Sequence, residues 1–159
     1  MTIVENPDVL IYVQNTTGRT LNLRGKSYRN DAFVPLPFVL KDKYTIQRAK
    51  QWGSDTGRDT LDGTFTGTLI GIFIKITCEI GKAHSKLNAE DIATLIALGD
   101  EEFVKCKYYD TKYRCYAIGD FYTDDMTDSI SRATHSGTRH NTLPFTFVAI
   151  KKFDEGWCQ

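Results

Sequence analysis

The segment from Ile70 to Ile80 alternates between two kinds of side chain, and this pattern restricts the fold more than any other feature of the sequence. Apolar side chains occupy every second position, namely Ile70, Ile72, Ile74, Ile76, Cys78 and Ile80. The positions between them carry Phe73, Lys75, Thr77 and Glu79. A strand places alternate side chains on opposite faces. The pattern therefore predicts a half-buried strand of an antiparallel sheet.

Further strands are expected on both sides of this segment. They are predicted at about Val9–Val13, Leu21–Arg24, Phe33–Leu40, Glu102–Tyr109, Lys112–Phe121 and Leu143–Phe153. Pro35 and Pro37 restrict the third of these to a sheet edge or an extended arm, because proline donates no ladder hydrogen bond. Residues 52–68 are rich in glycine and threonine. They are predicted to form a long loop that runs into a strand near Leu61.

One helix is well signalled, over about residues 89–98. Asn88 is a good N-cap, Glu90 and Asp91 suit the positive end of the helix dipole, and Gly99 favours a stop. Strands and a single helix predict a mainly β fold, either an antiparallel β-sandwich or a split β-barrel. We expect one domain over residues 1–159, with an extended N-terminal segment (about 1–45) and a long polar loop or arm (about 122–142).

The composition excludes several classes of protein. Twenty basic residues balance twenty acidic ones, so no net field favours nucleic acid or an anionic membrane. No apolar run is long enough to span a membrane, and the N-terminus lacks the pattern of a signal peptide. Reduced cysteines, in a protein made in a cytosol, are therefore expected. A turn at Asp110-Thr111 would place Cys106 opposite Cys115, and whether these two are paired stays open.

The sequence shows no arrangement of residues for catalysis. The histidines are His84, His135 and His140, and no nucleophile-elbow, phosphate-loop or EF-hand pattern accompanies them. We therefore expect a protein that is not an enzyme and that needs no cofactor or metal.

Two groups of opposite charge follow one another in the polar arm. The acidic group contains Asp120, Asp124, Asp125 and Asp128, and the basic group contains Arg132, His135, Arg139 and His140. Exposed groups of this kind can pair between subunits. We expect both groups, with the exception of Asp120, to lie at a subunit interface. Phe73 and Tyr109 are expected to add apolar surface to the same interface.

The predicted hairpin at 103–122 leaves an alternative open. It combines aromatic residues with Lys105, Lys107, Lys112 and Arg114. Such strands stack single-stranded bases in some β-barrels, although aromatic residues more often form cross-strand pairs and protein interfaces. A nucleic-acid-binding β-barrel is therefore the alternative function.

Several short motifs occur in a distinctive order between residues 45 and 153. They are Gly57–Thr64 before the long strand, Phe103–Asp110 after the helix, Tyr116–Asp120, and Phe145–Val148 in the closing strand. This order resembles small tail-module proteins of phages and prophages of Gram-positive bacteria, and more loosely tail-tube, distal-tail and baseplate-hub proteins.

The resemblance implies a structural protein of a virion tail, not a catalyst. It implies a homo-oligomeric ring around the tail axis, in contact with other tail or baseplate proteins and located in the virion tail after synthesis in the host cytoplasm.

Overall fold

The structure, a computed structural model, describes residues 9–81, 87–125, 130–134, 137–140 and 142–158. Its strands are β1 Ile11–Gln14, β2 Leu21–Leu23, β3 Lys26–Tyr28, β4 Phe33–Pro35, β5 Thr45–Trp52, β6 Gly57–Arg58, β7 Phe65–Thr66, β8 Leu69–Ile80, β9 Phe103–Asp110, β10 Cys115–Thr123, β11 Ile130–Thr134, β12 Gly137–His140 and β13 Leu143–Ala149. The α-helix α1 spans Ala89–Gly99, and short 3-10 helices span Lys41–Lys43 and Glu155–Trp157.

Seven strands form one antiparallel sheet in the order β4-β1-β9-β10-β13-β8-β5. The remaining strands make three two-stranded pairs, β2–β3, β6–β7 and β11–β12. The predicted mainly β, antiparallel fold with one helix is thus confirmed. The sheet is open, with β4 and β5 at its edges.

The sheet is strongly curled, and chain connectivity requires this curvature. Pro35 ends the edge strand β4, yet Val39 already forms a β-bridge with Ile80 of β8. In a flat sheet, β4 and β8 would lie about 24 Å apart, because five spacings of roughly 4.8 Å separate them. Four residues reach at most about 14 Å. The sheet must therefore bend so that these strands approach each other.

The concave face of the sheet is the core. On β8, Ile74, Ile76, Cys78 and Ile80 are fully buried, which confirms the face predicted from the alternation. Ile76, Cys78 and Ile80 lie opposite three residues of β13 that are also buried, Phe147, Phe145 and Leu143. Ile70 is 49% exposed, because β8 extends past the end of the core at this point. The prediction that Ile70 belongs to the buried face is wrong.

Helix α1 covers one part of this core through its buried Leu95 and Leu98. Its first turn is closed by a capping box. The Asn88 side chain accepts a hydrogen bond from the Asp91 backbone amide, and the Asp91 side chain accepts one from the Asn88 backbone amide. This arrangement satisfies two free amides at the N-terminus. Asp91 also accepts a hydrogen bond from the Arg24 amide (2.8 Å), so the cap fixes the helix to the β2–β3 hairpin.

The hairpin between β9 and β10 has a different register from the predicted one. Asp110 pairs with Cys115, and residues 111–114 form the turn. Cys106 therefore lies opposite Gly119 and not opposite Cys115. The reason is that Asp110 stays in the strand, where its carboxylate accepts from the Tyr113 amide (3.0 Å) and closes a longer turn.

Several strands lie where the sequence pattern indicated none, and the longest of them are β5, β11 and β12. Strand β5 pairs with β8 along its whole length although it is largely polar. Strands β11 and β12 pair within the predicted polar arm. A ladder of backbone hydrogen bonds forms these strands without an apolar alternation. Within the predicted N-terminal segment, β1 pairs with β9 and with the edge strand β4, so these two strands belong to the main sheet.

The last part of the chain, residues 150–158, folds back over the sheet, and we call it the C-terminal segment. The Phe153 amide donates to the Ile72 carbonyl (2.7 Å), and Trp157 packs edge-on against Phe121. Cys158 forms a disulfide with Cys115, whose Cα atom lies 5.7 Å away. The expectation of reduced cysteines is therefore wrong for this pair, because the fold brings together residues 43 positions apart.

Candidate assembly surfaces

A group of apolar side chains is exposed where β5 and β8 run past the core. Residues 53–68 continue these two strands as a hairpin, and we call this hairpin the extension. At its base, Trp52 packs edge-on against Phe65 with ring centroids 5.0 Å apart. Trp52, Phe65, Leu69 and Ile70 are each between 39% and 49% exposed. A contiguous exposed apolar group of this kind is typical of a protein-binding surface.

The tip of the extension is an ordered turn that displays one leucine. Leu61 is 95% exposed. The Asp59 amide donates to the Thr64 carbonyl (2.7 Å), and the Asp59 carboxylate accepts from the Leu61 amide (2.7 Å). Gly63 occupies the left-handed region with φ of 75°, which an ordinary residue adopts only with strain. The turn is therefore held by its own hydrogen bonds, while Leu61 is not covered by any of the residues that the structure describes.

The carboxylate of Asp62 lies beside Leu61 in the same turn. The hydrogen bond from the Thr64 amide (2.9 Å) lowers the pKa of Asp62, because it stabilises the charged form. The tip therefore presents an apolar side chain between two negative charges, those of Asp59 and Asp62.

A groove of about 780 Å³ lies at the other end of β8. Its floor includes the buried residues Leu23 and Leu36. Its rim carries three cations, Arg24, Lys26 and Lys41, and no acidic residue lines it within the described ranges of the chain. We call it the basic groove. It combines an apolar floor with a positive rim.

The aromatic residues of the β9–β10 hairpin are divided between the two faces of the sheet. Tyr108 and Phe121 are fully buried on the concave face. Tyr109 and Tyr116 pair on the convex face with centroids 5.4 Å apart. Lys107 lies 5.4 Å from the Tyr116 ring centroid, within cation–π range. Only part of the aromatic set predicted for nucleic-acid binding is therefore at the surface.

The predicted acidic and basic groups are placed only in part. Asp124 and Asp125 are exposed after β10. Asp120 pairs within the chain with Lys105 at 2.8 Å. Arg132 and Arg139 are backbone partners in β11 and β12, and His140 is opposite Ile130. Asp128 and His135 lie outside the described residues, so their predicted interface role stays a prediction.

Phe73 was predicted to supply apolar contact surface between subunits. It is half-buried and packs at the edge of the core. It also lines a shallow cavity with Lys152 and Trp157 of the C-terminal segment. Part of its surface is therefore covered within the chain.

A buried ion pair holds β5 to the β9–β10 turn. Arg48 Nη1 lies 3.0 Å from Asp110 Oδ2, and the Asp110 side chain is only 1% exposed. Both carboxylate oxygens of Asp110 can be buried because each accepts a hydrogen bond. Arg48 donates to Oδ2, and the Tyr113 amide donates to Oδ1.

The two free thiols and two core tyrosines are poor acids. Burial raises the pKa of the Cys78 thiol to about 12 and raises that of Cys106 well above its usual range. Burial likewise raises the pKa of Tyr44 and of Tyr108. Protonated thiols are weak nucleophiles, so these groups act as core side chains.

The described part of the chain contains no group of three His, Cys, Asp or Glu side chains placed to hold a metal ion. His84, like His135, lies outside the described residues. In the described ranges, no helix has the length and apolar character needed to cross a membrane.

Sequence reasoning missed Leu61 and the basic groove as surface features. Leu61 had a usable signal, since Asp59–Gly63 contains the Asp and Gly residues of a tight turn around one leucine. The groove had none, because its lining residues come from separate segments that only the curled sheet brings together.

Comparison with known proteins gives a likeness to solved structures. No family model matches the chain, and no curated protein matches its sequence. A chain in the tail of an empty GTA particle, computed with helical refinement in C6 symmetry, is similar with a TM-score of 0.53 and 11% identity. The match covers 95% of this chain and 98% of that one, so the two share a fold over nearly their whole lengths.

Two structures of the phage P2 baseplate in its activated conformation, with Ca and with Sr, also match. Each has 17% identity and a TM-score of 0.49. The match covers 90% of this chain, which spans 44% of the baseplate chain.

Proposed function

We propose that this protein is a structural subunit of a phage tail or tail-like particle. Copies of it assemble around the tail axis as a ring and contact other tail proteins, and it catalyses no reaction. The observation that carries this proposal is the fold shared, from end to end, with a chain of a GTA tail. That tail has C6 symmetry, so we propose six copies in each ring.

The exposed apolar surface supports association between copies. Trp52, Phe65, Leu69 and Ile70 lie together at one end of the sheet, and Leu61 projects beyond them. A subunit that buries this surface against a neighbour removes it from water, which favours assembly.

The charged groups of the polar arm are proposed to set the register between neighbours. In this arrangement Arg132, His135, Arg139 and His140 of one subunit face Asp124, Asp125 and Asp128 of the next. Exposed pairs contribute only about 0–1 kcal/mol each and weaken with salt. Replacing residues 131–139 by a Gly-Ser bridge is expected to leave the subunit folded and to impair assembly. Unchanged assembly across a salt series would reject this role.

The proposed function is tested by the mass and shape of the purified protein. Light scattering after size-exclusion chromatography and negative-stain microscopy, over a range of concentrations, are expected to show rings about six times the 18.0 kDa of one chain. Stacked rings or tubes would agree with the proposal as well. A monomer at every concentration, even with other tail proteins from the same particle, would contradict it.

The same experiment addresses the nucleic-acid alternative. Tyr109, Tyr116 and Lys107 are the surface residues that such binding would use. The nucleic-acid function would be favoured over the tail-subunit function if the protein is a monomer that binds single-stranded oligonucleotide and if Lys107→Glu abolishes that binding.

A further inference from the structure

We propose that Leu61, at the tip of the extension of one copy, inserts into the basic groove of a second copy. The inference rests on the proposed function, since it names two surfaces through which copies assemble. The occupant of the groove is therefore the acidic turn Asp59–Gly63 of a neighbouring chain.

The tip of the extension is already in a fixed conformation before it binds. Leu61 is 95% exposed, yet its turn is closed by hydrogen bonds from the Leu61 and Thr64 amides to the Asp59 and Asp62 carboxylates. Arg58 adds a further hydrogen bond to the Gly63 carbonyl (3.0 Å). A turn that is already rigid loses little conformational entropy on binding. The tip thus has the properties of a binding element.

The charges of the tip and of the groove are complementary. Among the described residues, the rim of the groove carries Arg24, Lys26 and Lys41 and no carboxylate. The tip carries Asp59 and Asp62 on either side of Leu61, and the cation of Arg58 is directed back to its own turn. Opposite charges around an apolar contact favour one orientation and reject like-charged partners.

The backbone of the groove is strained at one residue. Phe38 has a φ of 54°, a conformation that is strained for a bulky residue. It is held there while the Arg24 guanidinium stacks over its ring at 4.4 Å. Strained residues that the surrounding structure fixes are frequent at ligand-binding positions. This strain lies in the wall of the groove.

The two surfaces cannot be used within one copy as it is folded. No residue of the extension lines the groove, and Leu61 remains exposed. The extension continues from the Leu69 end of β8, whereas the groove adjoins the Ile80 end through the Val39–Ile80 bridge. Two different patches at opposite ends of a strand give a head-to-tail contact, which joins copies end to end.

The test uses variants that each remove one half of the contact. Leu61→Ser removes the apolar tip, and Leu61→Met is its matched control. Lys26→Glu with Lys41→Glu reverses the rim, and Lys112→Glu with Lys151→Glu reverses two other exposed lysines as a control. Loss of a buried leucine is expected to weaken association by about tenfold or more. Each disruptive variant is measured by sedimentation velocity over a concentration series, with thermal melting as the check on folding.

An equimolar mixture of the two disruptive variants is the decisive measurement. The Leu61→Ser chain keeps an intact groove and the lysine-reversed chain keeps an intact tip, so one good contact is restored. We expect a species of twice the mass that either variant forms alone, and we expect both controls to assemble like the unaltered chain.

Three outcomes would overturn the inference. The first is association of Leu61→Ser as strong as that of the unaltered chain. This result would be compatible with the proposed tail function, with assembly through other contacts. The second is loss of association on lysine reversal but not on Leu61→Ser, which would mean that another segment fills the groove. The third is a mixture that behaves as the sum of its components. Absence of any association in the unaltered chain would instead reject the proposed function itself.

Discussion

Trp157 lies directly over Gly119 of β10, and no space for a side chain remains between them. A Cβ atom at position 119 would stand 2.5 Å from Cζ3 of the indole ring and 2.7 Å from Cε3. Gly119→Ala must therefore displace Trp157 from Phe121. We expect a loss of about 1–3 kcal/mol in the free energy of unfolding, which is typical of overpacking, and a shift in tryptophan fluorescence.

Gly57 is the matched control for this substitution, because a Cβ atom there meets nothing within 4 Å. Gly57→Ala should leave urea unfolding and fluorescence nearly unchanged. Equal effects of the two substitutions would mean that Trp157 does not pack closely on β10 at Gly119.

The Arg48–Asp110 pair should matter far more than the Lys105–Asp120 pair. Arg48→Met leaves the buried Asp110 carboxylate without its cation and is expected to cost about 3–5 kcal/mol. Lys105→Met breaks a pair whose side chains are 48% and 42% exposed, and it should cost less than about 1 kcal/mol. Urea unfolding of both variants gives the comparison. Adding Asp110→Asn to Arg48→Met should recover part of the loss, since it removes the unpaired charge and keeps an acceptor for Tyr113.

The two ends of β8 should respond oppositely to an introduced charge. Ile74→Asp or Ile76→Asp places a carboxylate in the core at a fully buried position, and the cost of several kcal/mol should prevent folding. Ile70→Asp should fold, because its side chain is 49% exposed. Circular dichroism and melting of the purified variants decide the matter. An unfolded Ile70→Asp chain would show that the core extends further along β8 than described.

The disulfide should contribute measurably to stability. Cys115 and Cys158 are 43 positions apart, and closing a loop of that size removes roughly 4 kcal/mol of unfolded-state entropy. Cys158→Ser is expected to lower the free energy of unfolding by up to about that amount. Dithiothreitol should weaken the unaltered chain to the same extent and leave the variant unaffected. A reductant effect that persists in Cys158→Ser would assign the loss to another cause.

Alkaline pH should destabilise the fold through its buried thiols. Cys78 has a pKa of about 12 in the folded chain against an ordinary value of 9.0. The unfolded thiol therefore loses its proton first, so this contribution to stability is complete below pH 9 and declines between pH 9 and 12. Cys78→Ala should flatten that decline. In the native protein at pH 8, a thiol reagent should label neither Cys78 nor Cys106, and both should react after unfolding.

The features that sequence reasoning predicted correctly are those that local pattern determines. The alternation around Ile74 fixed the buried face of β8, and Asn88 with Asp91 marked the start of α1. The register of the β9–β10 turn was missed because Asp110 is held in its strand by Arg48, which is 62 positions distant. Turn propensity at Asp110-Thr111 carries no information about such a partner.

The surfaces were less predictable than the fold for a related reason. Exposure of Leu61 and Ile70 depends on where the core ends along two paired strands. The alternation of apolar residues in the sequence does not indicate this position. The basic groove and the Cys115–Cys158 pair require the curled sheet and the returning C-terminal segment. These are products of tertiary structure, whereas the charged arm was predicted simply because its residues are adjacent in the sequence, and its interface role stays a prediction.

The Cys115–Cys158 bond also determines how the subunit would carry a mechanical load. A force applied to the C-terminus is transmitted through the disulfide to Cys115, at the start of β10. Without the bond, the force would act first on Ile150 and the end of β13. β10 is bonded on both sides, to β9 and to β13, so the load is shared across the middle of the sheet. With the bond intact, β13 cannot be unzipped one residue at a time from its end. Reduction would restore that peeling route and lower the force needed to extend the chain.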